Sequence, residues 1–191
     1  MDVIQLKKAL KVFKLDDSAL EGYIQLYNKF HAKPKKIDSW KSLCTPDDGK
    51  LVPYSSLSVP DKESVEATLA RLAVCRLNGG LGTSMNCRGA KSAIVVREKK
   101  TFVDILVEQV AELNKKYQAD VPLMFMNSFN THGATERIIG RTVEATRILS
   151  FCQHSYPRLL ADDNGFLDPK KTNTDAWYPP GHGDLYSCIM E

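Results

Sequence analysis

Between two short apolar runs, Leu72-Ala73-Val74-Cys75 and Ala93-Ile94-Val95-Val96, lies the stretch Arg76-Leu77-Asn78-Gly79-Gly80-Leu81-Gly82-Thr83-Ser84-Met85-Asn86-Cys87-Arg88-Gly89-Ala90-Lys91-Ser92. Four glycines within eleven positions cannot belong to a strand or helix interior, where each costs stability. They suit a loop that takes positive φ and lets a ligand approach the backbone. Amides bared by such a turn form a concave anion site, and Arg88 and Lys91 add charge at its far end. Strand, glycine loop and lysine in that order favour a phosphate chain, most often a nucleotide's. The glycine spacing gives neither G-x-G-x-x-G nor the P-loop pattern.

The rest of the chain narrows the class. With 191 residues, 43% hydrophobic and 26% charged, it can bury one real core as an ordinary soluble protein. A net charge of +3 argues against a nucleic-acid binder. The five cysteines (Cys44, Cys75, Cys87, Cys152, Cys188) contain no C-x-x-C, so neither a zinc site nor a disulfide framework is indicated. They read as buried small hydrophobes in a reducing, cytoplasmic setting. Residues 1–20 lack the apolar core of a secretory signal, and no apolar run is long enough to span a bilayer.

Periodicity gives the elements. Val3, Leu6, Leu10 and Phe13 share a helical face. Ser18 with Glu21 forms a capping box for a second helix, whose stripe is Leu20, Ile24, Tyr27 and Phe30. Residues 32–62 are irregular and proline-punctuated, with Trp40, Leu51, Tyr54 and Leu57 expected to pin them to the body. A short helix opens near Ser64. Strand and helix then alternate: a strand over Leu72 to Leu77, a strand over Ala93 to Arg97, and a helix capped by Thr101 and Asp104 that buries Phe102, Ile105, Leu106, Val110 and Leu113. A buried strand over Val121 to Met126, a helix from Thr131 to about Val143 and a strand over Thr146 to Cys152 follow. This alternation predicts an α/β fold with a mostly parallel sheet, residues 1–68 packing as a helical and irregular segment on a domain of 69–191. Ligands of such sheets bind beyond the strands' carboxyl ends, where Asn78, Asn127 and Gln153 should converge. Asp162 to Gly165 reads as a turn, and Leu185 to Cys188 as the start of a helix.

Four blocks carry a resemblance. Besides the glycine stretch, Val121-Pro122-Leu123-Met124-Phe125-Met126-Asn127-Ser128-Phe129-Asn130-Thr131 is similar to V-P-L-x-x-M-N-S-F-N-T. Gln153-His154-Ser155-Tyr156-Pro157-Arg158 is similar to Q-S-x-Y-P-R, and Trp177-Tyr178-Pro179-Pro180-Gly181-His182-Gly183-Asp184 to W-Y-P-P-G-H-G-D. In order and spacing they resemble the eukaryotic UTP–glucose-1-phosphate uridylyltransferases, also called UDP-glucose pyrophosphorylases, over almost the whole chain.

The resemblance implies a Rossmann-like nucleotidyltransferase domain that joins UTP and glucose 1-phosphate into UDP-glucose and pyrophosphate with Mg²⁺. By matching motif, Leu77, Asn78, Gly79 and Gly80 meet the uracil and phosphates, and Gly79 and Gly80 also the sugar phosphate. Lys91 neutralises the triphosphate and is the catalytic residue, Gln153 hydrogen-bonds the uracil, Gly181 lies against the nucleotide, and His182 touches the sugar phosphate. A homo-oligomer stays open. Arg76, Asn86 and Ala90 replace the family's Lys, Gly and Pro. The family's N-x-D-N block, whose aspartate holds Mg²⁺, and its second essential lysine are not in the sequence. The chain therefore reads as an N-terminal portion, with its Mg²⁺ ligand expected beyond residue 191 and little turnover expected alone.

The alternatives are a non-catalytic nucleotide-binding or docking chain, and a pyrophosphorylase for another sugar 1-phosphate such as N-acetylglucosamine. The latter enzymes resemble G-G-x-G-T-R-L-G, with Arg where this chain has Ser84. Asn127 could be a purely structural cap. Asp184 is expected as a helix N-cap before a metal ligand, and His31, His132 and His154 as surface or capping residues.

Overall fold

A computed structural model describes residues 2–32, 39–80, 82, 89–141, 146–160, 165–167 and 174–190. In chain order its helices are α1 (Val3–Leu10), α2 (Asp17–His31), α3 (Lys62–Leu69), α4 (Phe102–Tyr117), α5 (His132–Ile139) and α6 (Leu185–Cys188). Its strands are β1 (Val74–Leu77), β2 (Val95–Arg97), β3 (Lys100–Thr101), β4 (Leu123–Asn127), β5 (Ile148–Cys152), β6 (Tyr156–Pro157) and β7 (Trp177–Tyr178). The expected turn over Asp162–Gly165 and the end of the helix near Val143 fall largely outside the described residues.

The parallel sheet has the order β1-β4-β5, with Val74 opposite Leu123 and Leu123 opposite Ile148. β4 is the middle strand, and its consecutive apolar residues meet that demand, for Leu123, Phe125 and Met126 are fully buried. α4 leads into β4. It starts where the sequence places it, since Thr101 accepts from the Asp104 amide while the Asp104 carboxylate accepts from the Thr101 amide. Its buried face is shifted from the expected one: Val110 goes inward and Leu106 packs beside it as expected, but Val103, Val107 and Asn114 join them and Phe102 is 49% exposed. Steps of four, three and four are as helical as the expected set, and the small branched valines let the helix lie close on Leu123 and Phe125. Asn114 then locks the turn into β4, donating to the Val121 carbonyl and accepting from its amide.

The expected strand at 93–97 is the first half of an antiparallel hairpin, β2–β3. Its turn residues, Glu98 and Lys99, both take positive φ (48° and 64°). A mirror-image turn asks for that twist, but the usual Asn-Gly signal is missing from the sequence.

The N-terminal helices close a second apolar cluster, with residues far along the chain. Leu6, Leu10, Phe13, Tyr23 and Tyr27 pack with Tyr156, Phe166, Trp177 and Tyr178. Phe13 meets Phe166 and Trp177 edge-on at 5.2 and 5.4 Å, and Tyr23 meets Tyr156 edge-on at 5.4 Å. The cap of α2 is Asp16, which accepts from the Ala19 amide at 2.7 Å, rather than Ser18 with Glu21. Ala19, Tyr23 and Tyr27 go inward on this helix, and Phe30 is left 75% exposed. At Gly22 an added Cβ would stand 2.5 Å from the Tyr156 hydroxyl, so this helix needs a residue without a side chain there.

Residues 39–60 contradict the expectation of pinning. Trp40, Leu51, Tyr54 and Leu57 are all exposed, Tyr54 by 90%. The three single 3-10 turns here (Trp40–Ser42, Asp48–Lys50, Tyr54–Ser56) close on their own backbone, which satisfies their polar groups without a tertiary partner.

Candidate functional site: the carboxyl ends of the sheet

Asn78, Asn127 and Gln153 do converge. Asn78 follows β1, and its buried side chain joins four parts of the molecule. Its Nδ2 donates to Asn127 Oδ1 at the end of β4 and to Thr135 Oγ1 on α5, each at 2.7 Å. Its Oδ1 accepts from the Ser92 hydroxyl, in the 3-10 turn Lys91–Ala93. Both Nδ2 protons are thus used inside the protein, and the backbone amide of Asn78 donates to the Met126 carbonyl at 2.8 Å, so this residue serves the framework. Asn127, fully buried, donates from Nδ2 to Ser150 Oγ at 2.9 Å on β5, which makes it structural. Lys91 is half-buried and Ser92 beside it buried, so the Ser92–Asn78 bond anchors the turn that carries the lysine.

Gln153 is held as firmly. Its amide donates to the Asn127 carbonyl at 2.8 Å, and its Oε1 accepts from the Gly181 amide at 3.1 Å. Gly79 underlies it: a Cβ there would stand 1.6 Å from Gln153 Nε2 and 2.9 Å from Cδ. Nε2 is buried and meets no protein acceptor among the described residues. A buried amide N–H without an acceptor is costly, so this group is built to meet something.

Of the other expected contacts, Gly181 meets this amide directly. Leu77 ends β1, half-buried; Gly80 is exposed, with open space where a Cβ would be. Gly181 takes φ 113°, which only glycine adopts easily, and its carbonyl accepts from Asp184 at the end of the 3-10 turn His182–Asp184. His182 is exposed on that turn. Gly82, with φ 73°, is the positive-φ glycine expected of the stretch. Leu81 and residues 83–88, including Asn86 and Arg88, lie outside the described residues.

Three expectations are corrected. His154 is not a surface residue: its side chain is 9% exposed, and its Nδ1 lies 3.0 Å from both carboxylate oxygens of Asp184. Asp184 stands at the N-cap position of α6, yet its side chain caps nothing there and accepts instead from the His154 amide at 2.8 Å. Cys44 and Cys152 are exposed, so they are not buried hydrophobes, while burial pushes the partly covered Cys75 thiol up. Sequence reasoning also missed Thr135 and Ser92, whose partners come from distant segments and leave no local signal.

A groove of about 810 Å³ lined by Tyr23, Tyr27, Phe30, Leu159, Tyr178 and Pro180 shares no residue with this cluster. No helix among the described residues is long and apolar enough to cross a membrane. As for Mg²⁺, the cluster of Asn78, Asn127 and Gln153 offers neutral amides and hydroxyls but no carboxylate. That is a poor fit for a hard cation.

A sequence profile described as UTP–glucose-1-phosphate uridylyltransferase matches residues 20–191. The chain belongs to that family. Relatives in the UTP–glucose-1-phosphate uridylyltransferase family include the protein of that name from Musa acuminata, 42% identical over 93% of this chain and 39% of its own length. The Hordeum vulgare protein of the same name is 41% identical over 94% of this chain and 39% of its own length. The open and closed structures of UDP-glucose pyrophosphorylase from Leishmania major superpose with a TM-score of 0.76 at 26% identity, over 95% of this chain and 38% of that one. A variant of that enzyme in complex with UDP-glucose gives the same score. The chain thus spans about two-fifths of the length of the family members it matches.

Proposed function

We propose that this chain supplies the nucleotide-binding part of a uridylyl transfer in which UTP and glucose 1-phosphate give UDP-glucose and pyrophosphate. The observation that carries it is the seat of Gln153. Gly181 fixes Oε1, Gly79 leaves room for the amide by having no side chain, and Nε2 is buried with no protein acceptor among the described residues. A rigid amide of this kind reads a carbonyl on a base edge, as the uracil of UTP offers. The likeness to a relative solved with UDP-glucose supports the same ligand.

The reaction needs no protein nucleophile. A phosphate oxygen of glucose 1-phosphate attacks the α-phosphorus of UTP in line, its bond to phosphorus forms, and the bond to the departing pyrophosphate oxygen breaks. Both reactants are anions, so the protein contributes position and charge. Gln153 holds the base, with Leu77 beside it. The backbone amides of Gly79 and Gly80 face the phosphates, and Lys91 neutralises charge that builds towards the leaving group. Gly181 lets the chain pass close to the nucleotide and presents His182 to the sugar phosphate. Asn78 is a positioning residue, joining the end of β1 to the lysine turn. Mg²⁺ belongs to this proposal as the companion of the triphosphate, outside the strand-end cluster, whose neutral amides do not fit it. The substrates and the exposed thiols suit a cytoplasmic setting.

The test is calorimetric titration of UTP into the chain, followed by pyrophosphate release with glucose 1-phosphate and N-acetylglucosamine 1-phosphate compared. Saturable UTP binding, weakened about tenfold in Gln153→Leu, is expected. Release with glucose 1-phosphate extends the proposal to turnover. Binding without release limits the chain to recognition, and no UTP binding by the folded chain overturns the reading.

A further inference from the structure

We infer that His154, Asp184 and Cys188 form a binding site for a borderline-soft divalent metal ion, zinc above all. The three donors come from two places in the chain and meet after folding. His154 follows Gln153 beyond β5, while Asp184 and Cys188 stand one helical turn apart at the start and end of α6. One donor atom from each lies within 4.8 Å of the others. The separate distances are 3.0 Å from His154 Nδ1 to either Asp184 oxygen, 3.6 Å from Cys188 Sγ to Nδ1, and 3.4 Å from Sγ to Asp184 Oδ2.

These lengths are close to the edges of a zinc tetrahedron. With Zn–S about 2.3 Å and Zn–N or Zn–O about 2.1 Å, two ligands subtend edges of about 3.6 Å for sulfur with nitrogen or oxygen and about 3.4 Å for nitrogen with oxygen. An ion fits after shifts of a few tenths of an ångström. The described residues supply three ligands, and the fourth position of the tetrahedron is taken by water or by a further donor. A mixed nitrogen, oxygen and sulfur set selects zinc or cobalt over magnesium.

The geometry also separates chelation from the obvious rival, a thiol–imidazole–carboxylate relay. A relay needs its carboxylate and thiol on opposite ring nitrogens. Here both approach the same atom, Nδ1. The ligands are held in advance: the Asp184 carboxylate accepts from the His154 amide, and the His154 ring stacks on Tyr156 at 6.0 Å between centroids. His154 stands where the motif Q-S-x-Y-P-R reads Ser, so the site belongs to this chain rather than to the motif.

Metal entry has a definite proton balance. The ion takes the Nδ1 lone pair, so the proton shared with Asp184 moves to Nε2 of the neutral ring, and the Cys188 thiol releases its proton to solvent as the sulfur–metal bond forms. Bound there, the ion joins the segment after Gly181 to the strand that carries Gln153.

The experiment titrates Co²⁺ into the purified, metal-stripped chain and records the near-ultraviolet thiolate-to-cobalt band. A single equivalent is expected, displaced by Zn²⁺ but not by Mg²⁺, with about one proton released per ion in unbuffered solution. Cys188→Ser should abolish the band, and His154→Ser should weaken affinity about tenfold or more. The double variant Cys44→Ser with Cys152→Ser should keep both, with circular dichroism checking that each variant is folded. No saturable uptake by the parent chain into the millimolar range, or a band that survives Cys188→Ser, overturns the site; neither depends on a damaged fold.

Discussion

Replacing Asn78 with alanine measures how much of the strand-end architecture hangs on one side chain. Three hydrogen bonds vanish, to Asn127, Thr135 and Ser92. Their loss is unequal. Thr135 Oγ1 still donates to the Thr131 carbonyl at 2.9 Å, so it merely stops accepting. Asn127 Oδ1 and the Ser92 hydroxyl, in residues 0% and 3% exposed, are stranded. A buried polar group left without its partner costs about 1–3 kcal/mol, and the space vacated by the amide is large enough for a water to recover part of that. The expected destabilisation is about 3 kcal/mol, seen as a lower urea midpoint at unchanged slope or a melting temperature about 6–12 °C lower. Ser92→Ala on this background should add almost nothing, whereas on the parent it should cost about 1 kcal/mol or more, because Asn78 Oδ1 then loses its donor. If Asn78→Ala costs under about 1 kcal/mol, or the two changes simply add, the network is not the unit described.

Gly79→Ala sends a Cβ to within 1.6 Å of Gln153 Nε2, so the amide must swing away and give up its bond from Gly181. UTP affinity should fall about tenfold or more, stability should drop by about 1–3 kcal/mol for the displaced buried amide, and an unchanged titration would remove Gln153 from the proposed base site. At alkaline pH, tyrosine in the unfolded chain ionises near 10, while burial, with Asp184 adding to it, holds the Tyr156 phenol up to about 12. The unfolded state therefore loses its proton first, and this stability is intact below pH 10 and drains away as pH rises towards 12, by about 1 kcal/mol per pH unit. Denaturation of Tyr156→Phe across that range should show a shallower loss, and an identical slope would refute the assignment.

What the sequence discloses follows the range of the forces involved. The Thr101–Asp104 cap and the apolar run of β4 are local or singly periodic, and both are where periodicity and capping place them. Asn78, Asn127 and Gln153 converge because a parallel sheet brings all strand ends to one side, which strand order alone implies. The position of the buried stripe on α4 is decided by how closely valines let a helix approach the sheet, a matter of its partner's shape. The same holds for α2, where Leu20, Ile24 and Tyr27 pack as the stripe implies, but Tyr156 draws Tyr23 inward and Phe30 is left outside. His154 shows the limit most clearly. Alone in sequence it looks like any polar residue after a strand, and only Asp184 and Cys188, arriving from far downstream, give it a role.

The pairing of the N-terminal helices with residues 156–178 also has a bearing on the order of events in time. The sheet cluster draws on residues between Val74 and Ile148, and its contacts close over moderate loops. Tyr23 waits for Tyr156, and Phe13 for Trp177, at far greater separations along the chain. Closing so long a loop before any reward is slow, so docking of the first two helices should be the last step of folding. During synthesis α1 and α2 are made well before residues 156–178, and their tyrosine and leucine face stays uncovered until those residues follow. For that interval the amino-terminal segment is the natural client of a chaperone.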